Sequence, residues 1–261
     1  MNSNFEHAMF PVFEAAVTYD TPNGDIRTDY KLIVRKDTNK ILSCMTNEYK
    51  VVKNETIIKY ALPVIQDAGG MFKECKTFAE GARTTMTWNF PNEQVTIGKN
   101  DVLTPEIIIK NSYDGTIGVN VLAGAFRLVC TNGMIIGVVA HDYRNKHSVY
   151  NVKLNDIEGI IIETIAKTKA TFKDEFPILQ NTEIKEKHIV DFLKMFPIKA
   201  NSVVTQRLIA DRPKTFWDLF NVGTNVTTHH MDRNTESTHK LENMLYERVK
   251  KMALSENKAV A

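Results

Sequence analysis

The chain has 261 residues, is 43% hydrophobic and 25% charged, and carries a formal net charge of +2. That length allows one large domain or two small ones, and it buries enough surface to fold without disulfides or metals. No uninterrupted apolar run exceeds three residues, which excludes a span of about twenty, and the near-zero charge excludes a uniformly cationic nucleic-acid binder.

Within residues 1–24, the first fourteen lack the basic start and long apolar core of a secretory leader. Residues 1–24 carry Phe5, Phe10 and Phe13 and read as an N-terminal arm, closed by the turn Thr21-Pro22-Asn23-Gly24. Its rings are expected to pack on the main body or on a neighbouring copy. Residues 30–34 (YKLIV) and 41–45 (ILSCM) read as strands around the polar turn 35–40. Asn54 is the expected cap of a helix with Ile57, Ile58, Ala61, Leu62 and Ile65 on its apolar side. Pro63 should kink or shorten that helix, and Gly69-Gly70 should end it. A β-β-α unit results.

From residue 71 the apolar period is two, which predicts strands over 72–78, 83–90, 93–97, 106–110, 118–122 and 126–130. Asn92-Glu93, Asp114-Gly115 and Asn132-Gly133 supply hairpin-turn chemistry between them. Beyond residue 136 the pattern becomes helical. Asp156 should cap a helix over 157–172, with Ile160, Ile161, Ile165 and Ala166 on one side and Pro177 as its breaker. A helix over 183–196 is stopped by Pro197, and shorter ones cover 200–211 and 215–221. The last helix, 236–254, carries Leu241, Leu245, Val249 and Met252. The expected fold is α+β: an antiparallel β-sheet core with an early β-β-α unit and a helical C-terminal lobe. The expected layout is the arm 1–24, a single domain 25–254 that is sheet-rich to 150 and helical from 151, and a disordered tail 255–261.

Chemistry-bearing motifs are sparse. Cys44, Cys75 and Cys130 are odd in number and far apart, and read as buried free thiols in a reducing, cytoplasmic setting. No GxxxxGK[ST], GxGxxG or GxSxG string occurs. His229, His230 and His239 with Asp232 form the only histidine cluster, but the nine-residue step from His230 to His239 is not metal-pair spacing. His141 and Asp142 are adjacent, so on an extended chain they point to opposite faces. Glu158 and Glu163, Asp174-Glu175, and Glu183 with Glu186 read as solvated acids. No catalytic residue, metal or cofactor is expected, and the chain reads as a non-enzyme.

Basic residues mixed with rings are more suggestive. Arg127 lies between Phe126 and Leu128, with Lys110 and Asn111 on the preceding strand. His141, Tyr143, Arg144, Lys146 and His147 form a basic loop containing a ring. Cations for phosphates and rings for bases are what single-stranded nucleic acid requires. The expected DNA-binding set is Arg127, Tyr143, Arg144, Lys146, Lys110, Asn111 and Arg83. The segment 207–214 (RLIADRPK) is also basic, while Phe216, Trp217 and Phe220 beside it read as core. Residues 131–261 carry 19 basic against 16 acidic side chains, so a basic surface is sought there.

The string Asn111-Ser112-Tyr113-Asp114-Gly115, followed by Arg127-Leu128-Val129-Cys130 and Asn132-Gly133, resembles the signature of the phage/plasmid-like protein family, a domain of unknown function. Tyr49-Lys50-Val51-Val52 and the segment 217–224 (WDLFNVGT) resemble further blocks, so the similarity covers roughly residues 28–250. It implies a phage or mobile-element setting and no reaction. The strand–strand–helix unit beside a long antiparallel sheet is also similar to phage single-strand annealing proteins, which form oligomeric rings on DNA; this likeness is architectural. The leading expectation is a non-enzymatic protein that binds single-stranded DNA and assists annealing or recombination. One alternative is a protein-interaction factor that inhibits or redirects a host or defence protein. The other is a metal-dependent nuclease using Asp114, Asp142 and Glu163. No membrane partner is expected, and the arm and final helix are candidates for docking on a second copy.

Overall fold

The computed structural model describes residues 6–97, 101–127, 133–134, 157–231 and 235–260. It is an α+β fold with antiparallel sheets followed by helices. Strands β1 (Val12–Tyr19), β2 (Ile26–Arg35) and β3 (Lys40–Thr46) form a three-stranded meander. Residues 12–19, expected within the arm, are thus a strand. Its partners alternate Val12 with Arg35, Phe13 with Val34 and Glu14 with Ile33, so pairing with β2 supplies the order that the short polar-apolar pattern lacked.

Helix α1 (Asn54–Asp67) follows. Asn54 does not cap it through its side chain, which is drawn inward, and Lys53 occupies the cap position. Pro63 sits inside α1 without ending it. Next come β4 (Met71–Phe78), β5 (Arg83–Asn89), β6 (Val95–Ile97), β7 (Asp101–Ser112), β8 (Asn120–Arg127) and β9 (Gly133–Met134). The second sheet runs β4-β5-β7-β8-β9, with β6 also paired to β7. Residues 120–127 are one strand spanning the gap between two predicted ones. The Asp114-Gly115 turn forms as expected, and Gly115 takes a φ of 69° that a side chain would strain.

Helix α2 (Ile157–Ala170) runs through a π-helical turn, Thr171–Glu175, directly into α3 (Phe176–Asn181). Pro177 therefore does not break the helical path. It lies in the first turn of α3, after the π turn has already shifted the hydrogen-bond ladder, so its missing N–H is tolerated. Helices α4 (Glu186–Leu193), α5 (Asn201–Asp211), α6 (Phe216–His229) and α7 (Thr235–Val260) complete the chain. Residues 255–260, expected as tail, are the last turns of α7.

Two compact units divide these residues. The first holds the described parts of Met1–Phe90, Ile107–Leu122 and Ala140–Ile165. Its core packs Ile57, Ala61 and Ile65 of α1 on Met86 and Trp88 of β5, Ile107 and Ile109 of β7, and Ile161 of α2. A second cluster joins Phe10, Val12, Ile33 and Leu42 to Tyr49, Ala82 and Tyr113. Each fully buried aliphatic side chain contributes about 2 kcal/mol.

The second unit holds the described parts of Pro91–Glu106, Ala123–Val139 and Ala166–Ala261. Its centre is aromatic: Phe176 lies 4.8 Å from Phe172 and 5.1 Å from Trp217, and Tyr246 lies 5.6 Å from Phe220. Thr215 and Asp218 form a reciprocal capping box that starts α6. Gly223 lets α6 approach α4, because a Cβ there would stand 3.0 Å from the Phe192 ring. Phe216, Trp217 and Phe220 are core, as their spacing suggested.

Candidate nucleic-acid interface

The strongest motif, Asn111 to Gly115, is a buried structural knot. The Asn111 amide donates to the Val52 carbonyl at 2.9 Å and to Asn54 Oδ1 at 2.8 Å. Asn54 donates in turn to the Ala8 carbonyl and to Thr84 Oγ1, at 2.9 and 3.1 Å. The Tyr113 hydroxyl accepts the Asn54 backbone N–H at 3.1 Å, and burial pushes its pKa up to about 12. Ser112 Oγ donates to the Ile117 carbonyl at 2.6 Å, closing the turn. Asn111 is 1% exposed, so it faces the interior rather than a ligand. Buried polar groups with this many fixed partners hold segments in register.

The other expected contacts do not gather around it. Arg83 Nε lies 3.0 Å from Asp114 Oδ2, an ion pair across the same turn. Asp114 also accepts the Thr116 N–H at 3.0 Å, so this acid is committed to the turn. Lys110 is half-buried on β7 and has a partner. Of Arg127 only the backbone is described, as the last residue of β8. Tyr143, Arg144 and Lys146, with His141, Asp142 and Cys130, lie outside the described residues. His229 and His230 close α6, and Asp232 lies outside the described residues; among those described, no three potential ligands form a metal cluster. Cys75 is half-buried and its thiol is pushed up to about 11 by burial, whereas Cys44, expected inside, is exposed. No helix among the described residues is long and apolar enough to cross a membrane.

A basic surface does form, on α7. The inward side of this helix carries Leu241, Leu245, Tyr246, Val249 and Ala253 into the aromatic core. Two of its acids also turn inward, whereas Glu247 stays exposed and pairs with Lys250 at 3.0 Å. Glu242 accepts from Thr228 Oγ1 at 3.0 Å, and Glu256 is 6% exposed among Lys185, Lys187 and His188. Glu175, from the π turn, accepts the Tyr246 hydroxyl and pairs with Lys250 at 3.3 Å. The outward side keeps Arg248, Lys251 and Lys258, which line a shallow open groove with Leu254, Ser255 and the Glu247–Lys250 pair. No ion pair engages these three cations among the described residues. They recur at helical spacing along about 15 Å of one face.

Glu256 anchors the end of this face. Hydrogen bonds from Lys185 and Lys187 hold its carboxyl at about 2, against an ordinary 4.5. His188 Nδ1 accepts the Lys185 backbone N–H at 3.0 Å, so Nε2 carries the proton and points at Glu256, 3.4 Å away. Burial lowers the histidine pKa, with Lys187 next in effect. Because the folded carboxyl titrates below its unfolded value, its stabilisation is complete above pH 4.5 and is lost as pH falls toward 2. Thermal melts across that window should show a steeper acid loss in the wild type than in Glu256→Gln. Equal slopes would show that the Glu256 carboxyl does not anchor this end of α7.

The sequence reading missed this surface because the cations alternate with acids along the chain. Only the folded helix, with residues 255–260 included, shows that Glu242 and Glu256 turn inward while these cations do not. The profile of a family described as a domain of unknown function (DUF932) matches residues 41–250, most of the chain. No solved structure matches it. The chain belongs to that family.

Proposed function

We propose that this DUF932 chain is a non-enzymatic protein that binds single-stranded DNA and assists the annealing of complementary strands. The observation that carries the reading is the outward face of α7, where Arg248, Lys251 and Lys258 line an open groove unpaired among the described residues, its lining acid Glu247 being taken up by Lys250. Unpaired cations along a groove neutralise phosphates and release condensed counterions, which is the main source of sequence-independent affinity. A three-strand meander followed by α1, beside a long antiparallel sheet, also supports the architectural likeness to annealing proteins. Base stacking needs a ring, and Tyr143, in the basic segment 141–147 of the sequence, is the expected contributor.

Fluorescence anisotropy with a labelled single-stranded oligonucleotide at about 50 mM salt tests the binding. Micromolar or tighter affinity that weakens steeply with added salt is expected. A chain that leaves the oligonucleotide free at micromolar concentration overturns the reading. Strand annealing followed by energy transfer between two labelled complements should accelerate when the protein is added, without nucleotide or metal.

A further inference from the structure

We propose that the outer face of the β1–β2–β3 sheet is the interface of a two-fold homodimer, with the basic β2–β3 turn of each copy lying against the acidic β1–β2 hairpin of the other. The pairing registers put Phe13, Ala15, Val17 and Tyr19 of β1 on the same face as Ile26, Thr28, Tyr30, Leu32 and Val34 of β2. Ile41, Cys44 and Thr46 of β3 complete it. The opposite face is the covered one: Val12 and Ile33 enter the core with Tyr113, and Ser43 Oγ donates to the Tyr113 carbonyl at 2.6 Å.

Nothing charged projects from the outer face, because Glu14, Lys31, Arg35 and Lys40 all alternate to the inner one. Yet apart from Val34, which is 6% exposed, the outer side chains are wholly or partly wet. Phe13 is 42% exposed, Tyr19 53%, Ile26 46%, Tyr30 51% and Ile41 61%. A contiguous apolar patch of this kind marks a docking surface. An uncharged face suits a protein better than a phosphate backbone, which needs cations.

Charge at the two ends of the sheet selects the occupant. The hairpin 20–25 carries Asp20 and Asp25 and no base. The turn 35–40 carries Arg35, Lys36 and Lys40 against Asp37. Arg35 and Asp37 neutralise each other at 2.7 Å, and Lys40 has only an exposed Glu80 at 4.0 Å, which leaves this end positive. In a meander these turns lie at opposite ends. A two-fold axis lying across the strands flips strand direction and sets the negative end of one copy over the positive end of the other. An axis along the strands would set like charges together. The face is therefore complementary to itself in one orientation, as an isologous interface requires.

That orientation has a geometric consequence. The row Ala15–Leu32–Cys44 lies near the middle of the sheet, so an axis along it brings the two copies of Cys44 together across sheets packed about 10 Å apart. The meander projects roughly 400 Å², about half of the 800 Å² per partner of a standard interface. The dimer is accordingly a weak one, formed at micromolar protein.

Analytical ultracentrifugation of the full chain across the micromolar range tests this. The wild type should pass from monomer to dimer, and Ile41→Glu should remain monomeric with an unchanged melting curve. A chain carrying Lys36→Glu and Lys40→Glu should be monomeric alone, as should one carrying Asp20→Lys and Asp25→Lys. Mixing the two should restore a dimer. A short bismaleimide, adding one thiol to each maleimide, should join two chains through Cys44, and Cys44→Ser should abolish the product. A wild type that stays monomeric throughout overturns the proposal, as does a dimer indifferent to Ile41→Glu. Loss of oligonucleotide binding in a monomeric Ile41→Glu chain would instead assign the face to nucleic-acid bases. The DNA groove on α7 stands or falls separately, because its cations are remote in sequence from every substitution named here.

Discussion

Replacing Asn111 with alanine is expected to lower the stability of the first unit by about 3 kcal/mol. Two buried acceptors, the Val52 carbonyl and Asn54 Oδ1, would lose their donor, and each unsatisfied buried group costs about 1–3 kcal/mol. Against a typical total of about 5–15 kcal/mol this is a large fraction. Asn111→Asp should be at least as damaging, because a carboxylate would face those same acceptors. The measurement is convenient, since the two tryptophans fall one in each unit: Trp88 in the first and Trp217 in the second. In a Trp217→Phe background, urea unfolding followed by Trp88 fluorescence reads the first unit alone. A shift below about 0.5 kcal/mol, the scale of an ordinary surface substitution, would show that the knot holds little. Under folding conditions Asn111→Ala should leave oligonucleotide affinity unchanged, which separates a structural asparagine from a DNA contact.

The triple reversal Arg248→Glu, Lys251→Glu and Lys258→Glu is expected to weaken single-stranded DNA binding by at least two orders of magnitude at about 50 mM salt. Each phosphate contact on a single strand contributes about 0.7 to the slope of log affinity against log salt, so losing three lowers that slope by about 2. The slope is the more telling readout, because partial unfolding would reduce active protein without changing it. All three side chains are exposed and none is in an ion pair among the described residues, so the melting temperature should hardly move. Lys185 and Lys187 make the useful contrast. Both engage Glu256, and replacing them should loosen the end of α7 while sparing the groove. An unchanged salt slope in the triple variant would place the DNA elsewhere, with the basic segment 141–147 as the next to test.

Much of the architecture was legible from local pattern. The strands around residues 30–34 and 41–45, the helix starting near Asn54 and the amphipathic last helix all appear close to where periodicity put them. These segments bury one face, so their sequence records the period. Strand β1 was not legible, because its exposed side carries Phe13 and Tyr19 while its alternation is blurred by Ala15 and Ala16. An apolar residue on an open sheet face looks like core when read along the chain. Cys44 was misread for the same reason, being apolar in context and yet outward. Pro177 failed as a breaker because the π turn before it is a property of backbone packing that no residue type announces.

The candidate site divides in the same way. Asn111 entered as an expected DNA contact and Ser112 as its neighbour in the family-like string, and both proved to be tied into the fold by hydrogen bonds. Their partners, Val52, Asn54 and Ile117, are up to 59 positions away, so only the folded chain reveals them.

By itself, the sequence determined the α+β class, the change from period two to helical period, and the near-even balance of charge that rules out a polycation. It also determined that the cations needed for any basic surface were more plentiful in the second half. Only the tertiary structure decided where those cations would be left unpaired. Burying the apolar side of α7 turned Glu242 and Glu256 inward and left Arg248, Lys251 and Lys258 outside. Local periodicity specifies which residues share a face, whereas the sign of a surface depends on which of its charges find partners across the core.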